Sequence, residues 1–369
     1  MNAKGRIVAF SMLILGVFFL FAWKFGLFCC ASGANSIRAI APLVFANIHF
    51  RIDFTASKPE QKYRLDIAPG SAFVPLPGST ATVSVVDSVS GNILNGKFRP
   101  ESSNVEREGT SLTFAVPAQE GLYGILFTYP GLPTIKLLCL VPFETPQSSR
   151  GIVDDVRIGA YPDPDKGIER VNENPDHYIP PRYFIRTDKY SDYRLAPTIK
   201  VGDLVCPTSK DDPTKHVNFA VLDYTLLLKV EYGWRVFSRE HPEIPQWKFV
   251  SWFRTPIHNK REGGSSYSRH IYGDACDIIV DLDGDWRMDD INRDGRIDMK
   301  DALEIARVFE DLEISGKIPW GGIGTYEYPG DESMGAAVHI DTRGHWARWG
   351  YSWMSGRKKN IIWYAEEPK

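Results

Sequence analysis

The sequence predicts a multidomain fold in which an all-β sandwich precedes an α+β domain, and three observations lead there. Short apolar runs alternating with polar residues, separated by turn dipeptides, fill residues 35–146. From His216 to Glu240 the apolar repeat lengthens to three or four residues, and short apolar runs follow it. A dense acidic stretch, Asp281 to Asp301, interrupts that second pattern. Period two marks half-buried strands and a period near 3.6 an amphipathic helix, while a helix followed by strands in no repeating order marks an α+β domain. A chain of 369 residues with 43% apolar content can fill two cores of ordinary size.

The first element, residues 1–34, is a membrane anchor or signal segment. Ile7 to Trp23 is almost wholly apolar, follows Lys4 and Arg6, and resumes after Lys24. Such a run is long enough to cross or nearly cross a bilayer, and positive-inside logic leaves Met1 in the cytoplasm and the body of the chain outside it. Residues 7–28 are expected to stay as the anchor, with cleavage near Ser32-Gly33-Ala34 as the alternative. Phe28 before Cys29 argues against a lipoprotein. Cys139, Cys206 and Cys276 form no regular framework and read as buried small hydrophobes, with a Cys206–Cys276 bridge open but unsupported by spacing.

In the second element, 35–146, Ile48, Phe50, Ile52 and Phe54 share one face, as do Val83 and Val85, and Leu112, Phe114 and Val116. Breaks at Pro77-Gly78 and Pro130-Gly131 separate antiparallel strands, which close naturally as an Ig-like sandwich. His49 is its only histidine and its acids do not cluster, so a spacer or binding module is expected rather than a second enzyme.

The third element, 147–369, begins with Pro- and Tyr-rich segments that read as ordered wrapping. The helix His216–Glu240 follows, with Phe219, Leu222, Leu226, Val230, Trp234 and Phe237 inward, then strands at Trp247–Phe253, Ile278–Val280 and Ala336–Ile340. The insert spans 281–315. Eight of the twenty-one residues Asp281–Asp301 are acidic. Asp290, Asn292, Asp294, Asp298 and Asp301 stand at positions 1, 3, 5, 9 and 12 of a calcium-type loop, with Gly295 at the tight turn and the Arg296 carbonyl at position 7. Calcium takes six to eight hard oxygens, so the stretch is expected to be an EF-hand/dockerin-type loop holding structural Ca2+, continued by a helix with Ala302, Ile305, Ala306, Phe309 and Leu312 inward. Asp281, Asp283 and Asp285 form at most a second, partial loop.

A net charge of -3 and a pI near 6.3 give no general electrostatic footprint for a nucleic-acid partner. Gly321-Gly322-Ile323-Gly324 lacks the order and the following Lys-Ser or Lys-Thr of a phosphate cradle, which argues against nucleotide binding.

Two histidines lie in polar, glycine-marked contexts near acids, His270 in Ser268–Asp277 and His339 in Val338–Asp341. A catalytic zinc site takes three protein ligands and leaves a fourth position for water. A loop returning into a strand brings His270 and Asp277 together, and His339 on a later strand completes the set. Spacing alone leaves ordinary hydrogen-bonded histidines as the alternative.

With Ser251-Trp252-Phe253-Arg254-Thr255-Pro256 and Asn259, Gly321 to Tyr326, Val338 to Arg343, and Arg348-Trp349 added, residues from about Ile158 to Trp349 resemble the zinc D-alanyl-D-alanine carboxypeptidases and peptidoglycan endopeptidases of the M15 class, in their His-x-Asp form. The resemblance implies a compact α+β metallopeptidase domain with Zn2+ on His270, Asp277 and His339. It makes Arg254 the partner of a substrate carboxylate or carbonyl oxygen, with Ser268 and Asn259 supporting the ligand loop. It also implies a bacterial envelope enzyme, periplasmic or otherwise extracytoplasmic, acting on peptidoglycan stem peptides. One departure matters: where many relatives carry a Glu or His before the last ligand, this chain has Ala336 and Ala337. Asp341 is then the first candidate for general base, with a supporting role at His339 as its alternative, and His345 and Glu332 are lesser candidates. Two other function classes stay open: an inactive wall-binding or assembly protein keeping the peptidase fold, and a calcium-dependent adhesion module built on the sandwich.

Overall fold

Alternation of apolar and polar side chains gives each early strand one face to bury, and two such faces close on each other. In a computed structural model of the protein the described residues are 47–58, 60–163, 178–205, 217–328, 335–354 and 357–360. The anchor expected at 7–28, Cys206 and Glu332 lie outside them. No helix among the described residues is long and apolar enough to cross a membrane.

The β-rich region contains β1 (Ile48–Thr55), β2 (Lys62–Ile67), β3 (Ala72–Phe73), β4 (Thr80–Asp87), β5 (Gly96–Pro100), β6 (Arg107–Gly109), β7 (Ser111–Ala115), β8 (Gly121–Thr128) and β9 (Ile135–Val141). They form two sheets, in order β2-β1-β4-β7 and β3-β9-β8-β5-β6. Burial in β1 alternates strictly, with Ile48, Phe50, Ile52 and Phe54 inside, the face that the sequence assigns to the core. A cleft of about 770 Å³ opens where β7 faces β5 and β8, lined by Phe98, Leu112, Phe114 and Ile125 among others, and none of its lining residues belongs to the metal triad described below.

Short pairings link this region to the next: β10 (Phe143–Glu144), β11 (Ile152–Val153), β12 (Val156–Arg157), β13 (Tyr183–Arg186), the single-turn helix α1 (Thr187–Tyr190) and β14 (Phe219–Ala220). The long helix α2 covers Tyr224–Glu240, later than the expected start at His216. The reason is local. Phe219 pairs with Arg186 in the β13–β14 ladder, and the Asp223 carboxylate accepts the Leu226 N–H as an N-cap, so the helix begins after it. Helix α3 (Pro256–Arg261) is capped by Thr255, and α4 (Met299–Ile314) by Asp298.

The remaining strands, β15 (Lys248–Ser251), β16 (Ala275–Ile279), β17 (Gly322–Tyr328), β18 (Gly335–Asp341), β19 (Ala347–Met354) and β20 (Arg357–Asn360), form a six-stranded sheet in order β15-β16-β18-β17-β19-β20. Helix α4 packs against β17 and β18, and α2 packs on α4. Gly233 allows that approach, since a Cβ there would sit 2.5 Å from the Phe309 ring.

From Asn47 onward the chain is one compact unit. Tyr224, the first residue of α2, packs edge-on against Phe54, which packs edge-on against Phe73, with ring centroids 5.2 Å apart in each pair, and the Tyr224 hydroxyl accepts the Val74 N–H at 2.6 Å. The β-rich region therefore shares a buried aromatic contact with the helix layer.

Candidate metal centre

Strand register assembles the site. Ser251 lies opposite Asp277, Asp277 opposite His339, His339 opposite Gly324, and Gly324 beside Trp349, so one row of residues crosses five strands on a single face. His270 enters from the 3-10 turn Arg269–Tyr272, just before β16.

Three ligand atoms meet there. His270 Nε2 is 3.1 Å from His339 Nδ1 and 3.2 Å from Asp277 Oδ1, and His339 Nδ1 is 3.0 Å from the same oxygen. All three residues are buried. The outer ring nitrogens fix the tautomers. His270 Nδ1–H donates to the Trp252 carbonyl at 2.7 Å, and His339 Nε2–H donates to Asp341 Oδ2 at 3.1 Å. Each imidazole therefore turns an unprotonated nitrogen toward the carboxylate oxygen, and three lone pairs face one another across about 3 Å. Either a proton on His339 Nδ1 or a metal cation resolves that arrangement without moving side chains. Zinc bonds of about 2.0–2.1 Å to nitrogen and oxygen give tetrahedral edges of roughly 3.3 Å, close to the separations seen. Two imidazoles and one carboxylate are also the donor set of catalytic zinc sites that keep a place for water.

The electrostatics agree. Burial and the Arg254 charge push His270 down to about 4, so it stays neutral. Burial opposes protonation of His339 too, but its hydrogen bonds to Asp277 and Asp341 outweigh it and raise the imidazole above its ordinary 6.5. Burial would raise Asp277, yet His270 and Arg254 hold it well below the usual carboxylate range. A metal must therefore displace a proton from His339 alone. Zinc affinity is expected to be flat above the raised His339 value and to fall with a one-proton slope as pH drops below it, where one proton is released per ion bound. Titrations between about pH 5 and 8 with a proton-indicator dye check this, and a two-proton slope in that window would contradict the tautomer assignment.

Neighbouring residues hold the ligands. Arg254 pairs with Asp277 Oδ2, and its Nε–H donates to Ser251 Oγ at 2.6 Å. Asn259 Nδ2–H donates to the Ser265 carbonyl at 2.8 Å, bracing the loop that leads to His270, and Ser268 precedes the ligand turn. His345 sits half-buried between β18 and β19. Asp341 is fully buried and committed: its oxygens accept from His339, from the Gly322 N–H at 2.7 Å, and from the Arg343 backbone N–H and guanidinium. A Cβ on Gly322 would come within 2.3 Å of Asp341 Oδ2, and one on Gly324 would come equally close to the Trp349 indole. These glycines make room for Asp341 and Trp349. The Trp349 ring lies 5.1 Å from His339, its Nε1–H donates to Tyr326 Oη at 3.0 Å, and the Arg343 guanidinium is 5.1 Å from its ring.

Tyr326, Arg343 and Trp349 lie in the motifs that carry the resemblance, but sequence reading assigned them no role in the site, since β17 and β19 carry no clear apolar alternation. It also missed the buried ion pair behind β18, where Lys229 Nζ meets Glu313 at 2.5 Å and donates to the Asp341 carbonyl at 2.9 Å. A lysine inside the run Leu226-Leu227-Leu228-Lys229-Val230 was the available signal.

In the acidic insert the loop carboxylates accept backbone N–H groups of their own turns. Asp290 accepts the Asp294 and Gly295 N–H groups, Asn292 that of Asp294, Asp294 that of Arg296 and Asp298 that of Lys300. Asp301 accepts those of Ile291 and Asn292 and closes a capping box with Asp298. The acidic side chains of 290–301 do not converge as three ligands. The acids that do converge are Asp281, Asp283 and Asp285, in the stretch read as the weaker loop. Two of these are exposed, and nothing among the described residues supports a separate calcium site.

The architecture and the row of ligands define a mixed α/β domain with a buried His/Asp/His centre of metallohydrolase type. Residues 248–303 match the family model described as Peptidase M15. That stretch contains His270 and Asp277 and ends before His339. Searches of curated proteins and of solved structures each found no match. The short match and the triad together support a zinc-dependent hydrolase in general.

Proposed function

We propose that the chain is a zinc-dependent peptidase that hydrolyses peptide bonds in peptidoglycan stem peptides or crosslinks outside the cytoplasm, held at the membrane by residues 7–28. The observation that carries the chemistry is the convergence of three lone-pair donors, two with tautomers fixed from behind. The substrate and the location rest on the M15 resemblance, the match over 248–303 and the apolar N-terminal sequence.

His270, Asp277 and His339 would hold the ion, which when bound lowers the pKa of a water toward neutrality and polarises a carbonyl. The chain's own residues do the rest. Trp252 and Asp341 keep both imidazoles in the metal-binding tautomer. Arg254, 18% exposed and anchored on Asp277 and Ser251, supplies a planar cation beside the ligands for a substrate carboxylate or a developing oxyanion. The oxygens of Asp341 are taken up by His339, Arg343 and Gly322, so we assign it to holding His339 rather than to taking a proton from water.

That assignment also favours the rival reading, a peptidoglycan-binding or assembly protein without turnover, because Ala336 and Ala337 supply no base. One assay separates the two. The full chain incubated with purified sacculi is expected to release shortened stems or opened crosslinks, readable by mass, with loss of product under a chelator and recovery on adding zinc. Binding to sacculi with no new product in any arm would establish the rival.

A further inference from the structure

The turn Arg269–Tyr272 that carries His270 is held through its backbone carbonyls. The His270 carbonyl accepts the Arg254 N–H at 3.1 Å, and the Gly273 carbonyl accepts the Trp252 Nε1–H at 3.3 Å. The Asp274 carbonyl accepts the Thr342 N–H at 3.1 Å. These donors lie on the site's own strands and loops. The remaining one does not. The Tyr272 carbonyl accepts a hydrogen bond from Lys58, 214 residues earlier, in the turn that follows β1 of the sandwich.

Lys58 is seated rather than draped over the surface. Its own carbonyl accepts the Tyr224 N–H at 3.2 Å, so the backbone that presents it is fixed to the start of α2. Its ammonium lies 5.8 Å from the Tyr272 ring. Burial pushes the ammonium below its ordinary value, Asp274 and Asp223 facing it favour its charge, and Arg269, paired with Asp274, opposes it. On the far side Gly273 adopts φ +78, and a Cβ there would meet Val221 at 2.6 Å, so the ligand turn is backed against the segment leading into α2. A cation removed from this nest would leave two carboxylates with less counter-charge and a buried carbonyl without its donor, both costly where water is excluded.

We propose that Lys58 is a positioning residue for His270, so that the β-sandwich, through this one side chain, sets how tightly the neighbouring domain holds its metal. The inference rests on the zinc reading above and deepens it. Groups that orient metal ligands from outside commonly change affinity by about 10–100-fold when lost.

The test uses the full chain and measures zinc affinity by competition with a chromophoric chelator, together with hydrogen exchange of the amides of residues 269–274 in metal-free protein. Lys58→Met is expected to weaken zinc binding by about tenfold or more and to speed exchange in the turn, Lys58→Arg to recover part of both, and Lys62→Met on the exposed face of β2 to change neither. A Lys58→Met protein within about twofold of wild type in affinity, with unchanged exchange, overturns the proposal. Should Lys58→Met fail to fold, Lys58→Arg and Tyr63→Phe carry the test. The latter loses the 3.0 Å contact with Thr225 across the same junction and the exposed hydrogen bond from Gln61, and both should shift affinity in the same direction by less. If wild type binds no zinc, the functional reading fails by itself, and the exchange measurement still decides whether Lys58 holds the turn.

Discussion

Replacing His270 by alanine is expected to lower zinc-dependent turnover by more than about a hundredfold, because losing a ligand outright exceeds the 10–100-fold commonly lost with an outer partner. The substitution removes one of three donors spaced 3.0–3.2 Å apart and leaves the Trp252 carbonyl without the Nδ1–H. The fold should survive, since the turn is also held through its backbone carbonyls. Asp341→Asn is the informative companion. It keeps the shape of a fully buried side chain while removing the charge that both His339 Nε2–H and Arg343 meet. A holding role predicts zinc affinity weakened by about 10–100-fold, with turnover largely restored by excess zinc. A general-base role predicts intact affinity and lost turnover that no amount of zinc restores. Zinc titration and product release measured on the same samples separate the two.

The largest expected stability loss comes from Glu313→Ala. Glu313 and Lys229 have fully buried side chains, and Arg348, 2% exposed, meets the second Glu313 oxygen at 2.5 Å. Removing the carboxylate leaves the Lys229 ammonium in the interior between α2, α4 and the sheet with carbonyl partners only, and leaves Arg348 to Glu310 at 3.4 Å. Breaking a buried pair from one side costs about 3–5 kcal/mol, most of it from the charge left behind. Lys229→Met should cost less, since Glu313 keeps Arg348 and the thioether side chain fills similar space. It also withdraws a donor from the Asp341 carbonyl, so a modest fall in zinc affinity should accompany it. Urea midpoints of the three proteins check the order. A Glu313→Ala variant within about 1 kcal/mol of wild type would show that the interior absorbs the charges unaided.

What could be read from the residues, and what could not, divides along the range of the interactions. The inward face of β1 followed from period two, and the stripe of α4 from period 3.6, because burial of one face is a local demand. Helix α2 began later than its apolar periodicity suggested, since Phe219 served a strand pairing and Asp223 a cap. In the acidic insert, carboxylates at calcium-loop spacing also suit the N–H groups of their own turns, and those contacts are made among the described residues.

The amino-acid sequence by itself determined the strand faces and the α4 helix, because residue type and local periodicity carry that information, while His270, Asp277 and His339 were singled out together as ligands only through the family resemblance. Only the tertiary structure decided that Asp341 holds His339, that Gly324 makes room for Trp349, and that Lys58 reaches the His270 turn. Those pairings depend on strand register and on the seating of the sandwich against α2, which bring together residues as many as 214 positions apart. The physical reason is that such contacts stabilise the chain only after the whole surrounding core has closed.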